Sequence, residues 1–513
     1  MHHRACHEIW ILKICVLLTL LAAGSLALRP HDRLPEFPLT EDGFYSLTVA
    51  RNIALGRGIT SDGDSYTNGF QPLFTFLTVP VFIVTGGDRY SALRGLLILH
   101  WLFYLATGYV IAAIIKDMSS GDSMTASGVF WIALSLYVGN IVPFLQHFNG
   151  LETGVCLFCY ALAWRYFQVA KMDRFIKPMC LGAILGLAVL ARIDAVILVI
   201  AVAGCQLFPE TRTRFYERLG RSLLILTTSL VVSLPWWLYN YIYFGDLMPI
   251  SGRVAGCSAL SLDRAYWALL VVFRYVFPFH PTPLDGFADA LRSLLLVAGI
   301  PLIIYYWQSD RRKAMTVAMK QATEFASYYG LFLALLVTAY TVYSCTIYFY
   351  GRYFAPLILL STFGLGYISV HLQHLGRRIL ACVSIALSTC LICYIVLIHT
   401  GKVASDSGRS IMFHEQLGLV LSHVPEDEYV GAGQSGTLGY FRDRIVNLDG
   451  KLNHEAFRLR NVEHGLSNYL RERKITWYCD WGPGPFGDDY GKNGWALVAT
   501  RGKAFLYHYT PAR

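Results

Sequence analysis

The chain carries a long succession of apolar runs. A run of about 20 apolar residues has few folded uses other than crossing a bilayer as a helix, which satisfies every backbone N–H and C=O within the segment. The first run covers residues 9–28. Others lie near 93–115, 126–145, 151–169, 177–192, 193–208, 222–244, 291–307, 328–350, 353–371 and 378–400. Several are at the short end for a span. The composition agrees: 55% of residues are hydrophobic and 15% charged, against about 25% charged in an average soluble domain. Too little polar surface remains to cover a soluble core of 513 residues, so lipid serves as part of the solvent. The count leads to an α-helical polytopic membrane protein with about eleven transmembrane helices. The first run follows Arg4 and ends at Ser25-Leu26-Ala27, which could pass for a signal cleavage site. Its length is that of a retained span rather than a signal h-region.

A further apolar stretch, 72–84, is shorter, and the basic residues decide how to read it. Cytoplasmic loops carry the excess of Lys and Arg. With the N-terminus inside and 72–84 read as an interfacial or re-entrant helix, the inside loops hold Lys116; Lys171, Arg174 and Lys177; Arg212, Arg214, Arg218 and Arg221; Arg311, Arg312, Lys313 and Lys320; and Arg377 and Arg378. The short outside connections then hold little that is basic except Arg192 and Arg352. Counting 72–84 as a crossing would turn the later basic loops outward. The net charge of +9 is thus spread along membrane flanks rather than gathered into a patch, which argues against a nucleic-acid partner.

Three segments face outside on this reading: 29–89, about 245–289, and 401–513. The last shifts to charged and turn residues and reads as short strands at 429–432, 444–448, 475–479, 496–500 and 504–509, with helices between them. Residues 1–400 therefore form the transmembrane domain and 401–513 a C-terminal extracytoplasmic α/β domain. Most of the 12 cysteines lie in apolar runs. Cys156 with Cys159, and Cys390 with Cys393, have a redox or zinc spacing, but small apolar thiols in lipid-embedded helices are the stronger reading. Cys257 and Cys479 are the two placed outside. Gly431, Gly433 and Gly436 match a dinucleotide-binding spacing without a clear acid about 20 residues on. Tight strand–helix packing is the better reading. Metal-ligand spacing is absent, and no cofactor is called for.

Chemistry concentrates at membrane-flanking positions. After Thr40, a plausible N-cap, Glu41 and Asp42 fall in the first turn of a helix, where the unpaired amides and the helix dipole favour carboxylates. That alone explains two acids. The alternative is a functional pair, because ionisable groups close to apolar surroundings are expensive and tend to have work to do. Arg352 sits between two apolar runs with almost no loop. It either snorkels to the interface or stands as a fixed cation at headgroup depth, where its forked donors suit a lipid phosphate. Arg192 and Asp194 fall between two short runs as a structural pair or part of a site. Glu152, at the outer start of a span, lies on the same face as Glu41 and Asp42.

Several segments, in order along nearly the whole chain, resemble the GT-C superfamily of membrane glycosyltransferases. They include Glu41-Asp42-Gly43-Phe44-Tyr45 with Ala50-Arg51-Asn52, then Tyr66-Thr67-Asn68-Gly69-Phe70-Gln71-Pro72 and Asn149-Gly150-Leu151-Glu152-Thr153-Gly154. Further on come Ala191-Arg192-Ile193-Asp194-Ala195, Pro235-Trp236-Trp237, Gly351-Arg352-Tyr353-Phe354-Ala355-Pro356 and Val446-Asn447-Leu448-Asp449-Gly450. Among these enzymes the chain is most similar to bacterial relatives of the mycobacterial terminal arabinofuranosyltransferases. The resemblance implies that one of Glu41 and Asp42 is the base acting on the acceptor hydroxyl, with Asp42 favoured. It implies that Arg352 meets the donor phosphate, with Arg51 or Arg192 in support, and that Glu152 is a second acid of the site. Tyr353 and Asn68, in matching segments, are further site candidates.

The expected activity is an inverting transfer of a sugar from a polyprenyl-phosphate-linked donor to an extracytoplasmic glycan, lipid or protein acceptor at the plasma membrane. Nucleotide sugars are not expected outside, so an outward site needs a donor that has been flipped across the membrane. The rival class is a transporter or flippase of a lipid-linked substrate. Such proteins often show paired repeats and mid-membrane helix breaks. No repeat is visible here, and the candidate acids lie at one surface.

Overall fold

A computed structural model describes residues 2–119, 123–170, 175–207, 215–254, 256, 261–276, 316–344, 347–372, 374–403, 407–462, 464–482 and 494–510. The run at 291–307, Cys257 and the basic residues Lys171, Arg174, Arg212, Arg214, Arg311, Arg312 and Lys313 lie outside these.

Five helices among the described residues are long and apolar enough to cross a bilayer: His7–Leu28, Arg89–Met118, Phe215–Phe244, Val317–Tyr343 and Leu375–His399. Two more candidates are bent pairs, Ser123–Val138 with Ile141–Phe148 at 58° and Ile347–Tyr353 with Leu357–His371 at 50°. The chain is a multi-pass membrane protein. Shorter apolar helices are Pro72–Val84, Ile176–Ala191 and Ile193–Cys205. The 13 residues of Pro72–Val84 rise about 1.5 Å each, giving roughly 20 Å against a hydrocarbon core of about 30 Å. By length it falls short of a crossing.

The breaks have local causes. Past Val138, Asn140 restarts the chain as an N-cap, its side chain accepting from Val142 N–H at 2.9 Å. Between Ile347–Tyr353 and Leu357–His371 stands Pro356 at the N-cap position, and a proline disfavours the helical conformation in the residue before it. Helix Ile176–Ala191 stops because Arg192 is extended, at φ −153° and ψ 128°. Both Arg192 and Arg352 therefore sit at interruptions of apolar helices. Irregular backbone at such depth is tolerated where it is buried in protein or lines a cavity.

Beyond His399 the chain builds a five-stranded sheet, β1 Val430–Ala432, β2 Ile445–Asn447, β3 Trp477–Asp480, β4 Trp495–Arg501 and β5 Ala504–Tyr509, in the order β2-β1-β3-β5-β4. β1 runs parallel to β2 and β3, while β5 runs antiparallel to β3 and β4. Successive residues serve opposite faces, as the period of a strand requires. Ile445 and Leu506 join one core with Leu419 and Val420 of helix Ser407–His423, while Val446 and Tyr507 join the other with Tyr469 and Leu470. β3 begins later than its composition suggests, because Lys474 turns the chain at φ 55° and Ile475 N–H is taken by Leu470. Cys479 is buried and unbridged, and the membrane cysteines at 156, 159, 390 and 393 are free thiols as well.

The sheet segment is docked directly on the membrane part. Helix Gly436–Phe441 packs on helix Glu41–Ala54, and Gly69 abuts the backbone of Lys451 so closely that an added Cβ would overlap the Lys451 carbonyl oxygen. Space, rather than backbone conformation, demands glycine there. Gly69→Ala is expected to cost about 1–3 kcal/mol, read as a lower melting temperature in detergent and faster proteolysis of the C-terminal segment. An unchanged melting curve would show that this contact is slack.

Candidate active site

Helix Glu41–Ala54 begins after Thr40, which holds the N-cap position at φ −115° and ψ 157° without capping through its side chain. Instead the Thr40 hydroxyl and N–H both donate to Asn149 O, at 2.9 and 3.1 Å. Gly43 lies against the next peptide, where a Cβ would come within 2.9 Å of Gly150 O. The first helical turn is thus pinned to the loop that leads into helix Thr153–Val169, whose N-cap is Glu152.

The two adjacent acids diverge, as neighbours on a helix with 3.6 residues per turn must. Glu41 turns to the sheet segment. Its Oε2 accepts from Thr437 N–H at 2.9 Å and from the Thr437 hydroxyl, and its Oε1 from Gly436 N–H. Burial pushes its carboxyl up to about 7, against these hydrogen bonds from Thr437 and Gly436. Asp42 turns to two cations. Lys451 Nζ lies 3.1 Å from Oδ1, and Arg352 Nη1 lies 3.3 Å from Oδ2. Burial opposes its ionisation, but Lys451 and Arg352 outweigh burial and hold its carboxyl below the usual range.

Lys451 also reaches Asp449 Oδ2 at 3.4 Å and stands over the rings of Tyr45 and Phe349 at 5.5 and 5.8 Å. Tyr45 donates its hydroxyl to Asp449 Oδ2 at 3.4 Å. Arg352 lies over Phe349 and Tyr353, 5.2 and 5.4 Å from the ring centres, and its Nε is buried without a hydrogen-bond partner. Behind it is Arg192, whose Nη2 meets Asp194 at 2.6 Å and whose Nη1 lies 3.7 Å from Glu152. Arg192 Nη1 also donates to Arg352 O at 3.3 Å, and Tyr340 donates to Asp194 at 2.8 Å. Tyr340 stacks on Tyr353 at 4.0 Å. One helix break thus supports the other.

Of the residues singled out by sequence, Asp42, Glu152, Arg192, Arg352 and Tyr353 form one connected cluster, with Glu41 beside it. Arg51 is elsewhere. It donates to Gly87 O at 2.9 Å and pairs with Asp443 at 2.9 Å, as do Arg57 at 2.8 Å and Arg89 at 2.6 Å. Asn68 is buried and accepts from Ile250 N–H at 3.2 Å, so it ties its loop to the start of helix Ile250–Val254. Sequence reasoning missed Lys451, Asp449, Thr437 and Tyr340. Asp449 lies in one of the recognised segments, two residues before Lys451, but nothing local in that stretch says that it returns to Asp42. Among the described residues no group of three or more His, Cys, Asp or Glu is arranged to hold a metal ion.

No protein-family model matches the sequence, and no curated protein matches it. Solved structures do. ArnT from Cupriavidus metallidurans bound to undecaprenyl phosphate is 11% identical, covers 98% of this chain with 98% of its own, and superimposes at a TM-score of 0.59. The apo state of the same protein gives 12% identity, 97% of each chain and the same score of 0.59. At such identity the likeness speaks for the fold, and it extends from end to end: the chain has the GT-C fold.

Proposed function

We propose that this protein is an inverting glycosyltransferase that moves a hexosyl or pentosyl unit from a polyprenyl-phosphate-linked donor to an extracytoplasmic glycan, lipid or protein acceptor. The site and the C-terminal domain, residues 401–513, face outward from the plasma membrane. The observation that carries this reading is the pairing of Asp42 with Arg352, a potential base beside a potential phosphate ligand, on two elements that meet only in the folded chain. The fold shared with ArnT, whose structure holds undecaprenyl phosphate, supports a polyprenyl phosphate as the lipid of the donor. The ordered motifs support kinship with relatives of the terminal arabinofuranosyltransferases.

In the proposed reaction the acceptor oxygen attacks the anomeric carbon. Its bond to carbon forms as the bond from carbon to the phosphate oxygen breaks. The bonding pair leaves with the polyprenyl phosphate, and the hydroxyl proton passes to Asp42. A single displacement inverts the anomeric centre. The leaving phosphate is a weak base and needs little acid assistance, but charge grows on it, and Arg352 stabilises that charge in a water-poor setting. Arg192 is committed to Asp194, Glu152 and the Arg352 carbonyl, so it positions Arg352. Glu41, with both oxygens engaged by the sheet segment, anchors rather than abstracts.

Transfer from a panel of polyprenyl-phosphate sugars, measured on purified protein in lipid, tests this. Asp42→Asn is expected to lose about 10²–10⁴ in rate while keeping the wild-type melting temperature within a few degrees. Glu41→Gln is expected to lower the melting temperature and to slow transfer far less. If both variants transferred as wild type does, the assignment would be wrong; labelled lipid crossing the bilayer without donor consumption would favour a flippase.

The pH profile separates the two acids independently. A base must be ionised, so kcat/KM falls as pH drops through the free enzyme's value for that group. Asp42 is held below an ordinary aspartate, so the profile should stay flat from neutrality to about pH 4. An acid limb centred near 7 would point to Glu41 instead.

A further inference from the structure

The loop after β2 delivers a lysine into the cluster, and its construction separates a fixed backbone from a mobile charge. Asn447 Oδ1 accepts from Gly450 N–H and Leu452 N–H, each at 3.1 Å, and Asp449 Oδ1 accepts from Lys451 N–H at 2.8 Å. Gly69 presses on the Lys451 carbonyl from the other side. The peptide is held, while the ammonium at the end of a four-carbon stem can exchange partners without moving it. Resting on the transferase reading above, we propose that Lys451 clamps Asp42 in the empty enzyme and passes to the donor phosphate when the lipid-linked sugar binds, so that Asp42 serves the acceptor only once the donor is in place.

Three observations converge on this. Both Asp42 oxygens are engaged by cations. Each such contact favours the carboxylate and makes it a poorer proton acceptor. The second cation, Arg352, has a buried Nε with no partner, a costly unmet donor that a phosphate oxygen would satisfy. Charge supplies the third. Asp42 and Asp449 balance Lys451 and Arg352, while Arg192 is spent on Asp194 and Glu152. A donor phosphodiester therefore adds an uncompensated negative charge beside Asp42 as it draws the cations off. Both changes raise the proton affinity of Asp42. Once the sugar has gone, the phosphate carries more charge and holds Lys451 and Arg352 more tightly.

The charged and titratable groups facing Asp42 are Lys451, Arg352, Glu41 and Tyr45, with Asp449 behind Lys451 and Glu152 behind Arg352. Asp449 holds Lys451 from the far side, so Lys451 remains a cation throughout and meets the donor phosphate as a charged binding group.

A carbodiimide that modifies protonated carboxyl groups reports on Asp42 without any need for turnover. The full-length protein in nanodiscs would be labelled across a pH series, with and without undecaprenyl phosphate, and Asp42 read by peptide mass spectrometry. In wild type the labelling midpoint should rise by about one pH unit or more, tenfold in proton affinity, when the lipid phosphate is added. In Lys451→Met the midpoint should already be raised in the empty protein and respond less to lipid, and Lys451→Arg should restore the wild-type pattern. Equal midpoints in wild type and Lys451→Met would overturn the clamp, as would a wild-type midpoint indifferent to lipid. The donor assay on wild type is read separately. If labelling behaves as expected but no sugar moves, the clamp stands and the transferase reading falls. If sugar moves and the midpoints coincide, the reverse holds.

Discussion

A charge buried beside apolar helices must be paired, because removing one partner of a buried ion pair costs about 3–5 kcal/mol. That constraint organises the centre of this molecule. Arg192 and Arg352 interrupt their helices, and each interruption frees peptide groups that need partners of their own. The structure answers both demands with one network: Arg192 takes Asp194 and Glu152 and caps the Arg352 carbonyl, while Arg352 takes Asp42. Tyr340 and Tyr353, stacked on each other, close the wall around the two guanidinium groups. A cation held this way cannot drift, which suits the charge stabilisation proposed for Arg352, since such stabilisation depends on preorganisation.

The adjacent acids show how position on a helix divides labour. Glu41 and Asp42 share a turn and a helix dipole, yet one faces backbone amides and the other faces ammonium and guanidinium groups. The amides come from the start of helix Gly436–Phe441, where unpaired N–H groups favour an anion. The glycine-rich stretch after β1 is therefore a docking surface for Glu41, and its glycines serve close approach, Gly436 lying against the Glu41 backbone. In that sense the close packing expected from Gly431, Gly433 and Gly436 was legible, but its partner on helix Glu41–Ala54 was not.

What the sequence carried best was whatever local patterning controls. Apolar runs located the long helices, and strand patterning located β1, β2, β4 and β5 within one residue and β3 within two. The candidates nearest in kind to a site, Asp42, Glu152, Arg192 and Arg352, met because each stood at a helix terminus or break, and such positions are marked by Gly, Pro and polar residues. Lys451 follows the turn at Asp449-Gly450, but that mark says nothing of a partner, and only the docking of the sheet segment over the membrane part brings it to Asp42. Arg51 is placed differently. Its motif drew it toward the donor phosphate, but on a helix it stands nine positions from Asp42, about 13 Å along the axis at 1.5 Å per residue. There it meets Asp443 instead.

That displacement gives Arg51 a structural use. The Glu41–Ala54 helix grips the C-terminal fold at two places, through Glu41 on Gly436 and Thr437 and through Arg51, with Arg57 and Arg89, on Asp443. Two grips some distance apart on one rigid helix fix both the position and the rotation of the sheet, which a single contact would leave free to pivot. Lys451 is held by the same fold, so its reach to Asp42 is set by this double attachment. Sub-ångström placement matters for proton transfer, since a base must come within about 2.6–3.2 Å of the proton's donor atom. A cluster whose carboxylate and ammonium arrive from segments far apart in sequence needs some such rigid coupling, and here the helix that carries Asp42 also supplies it.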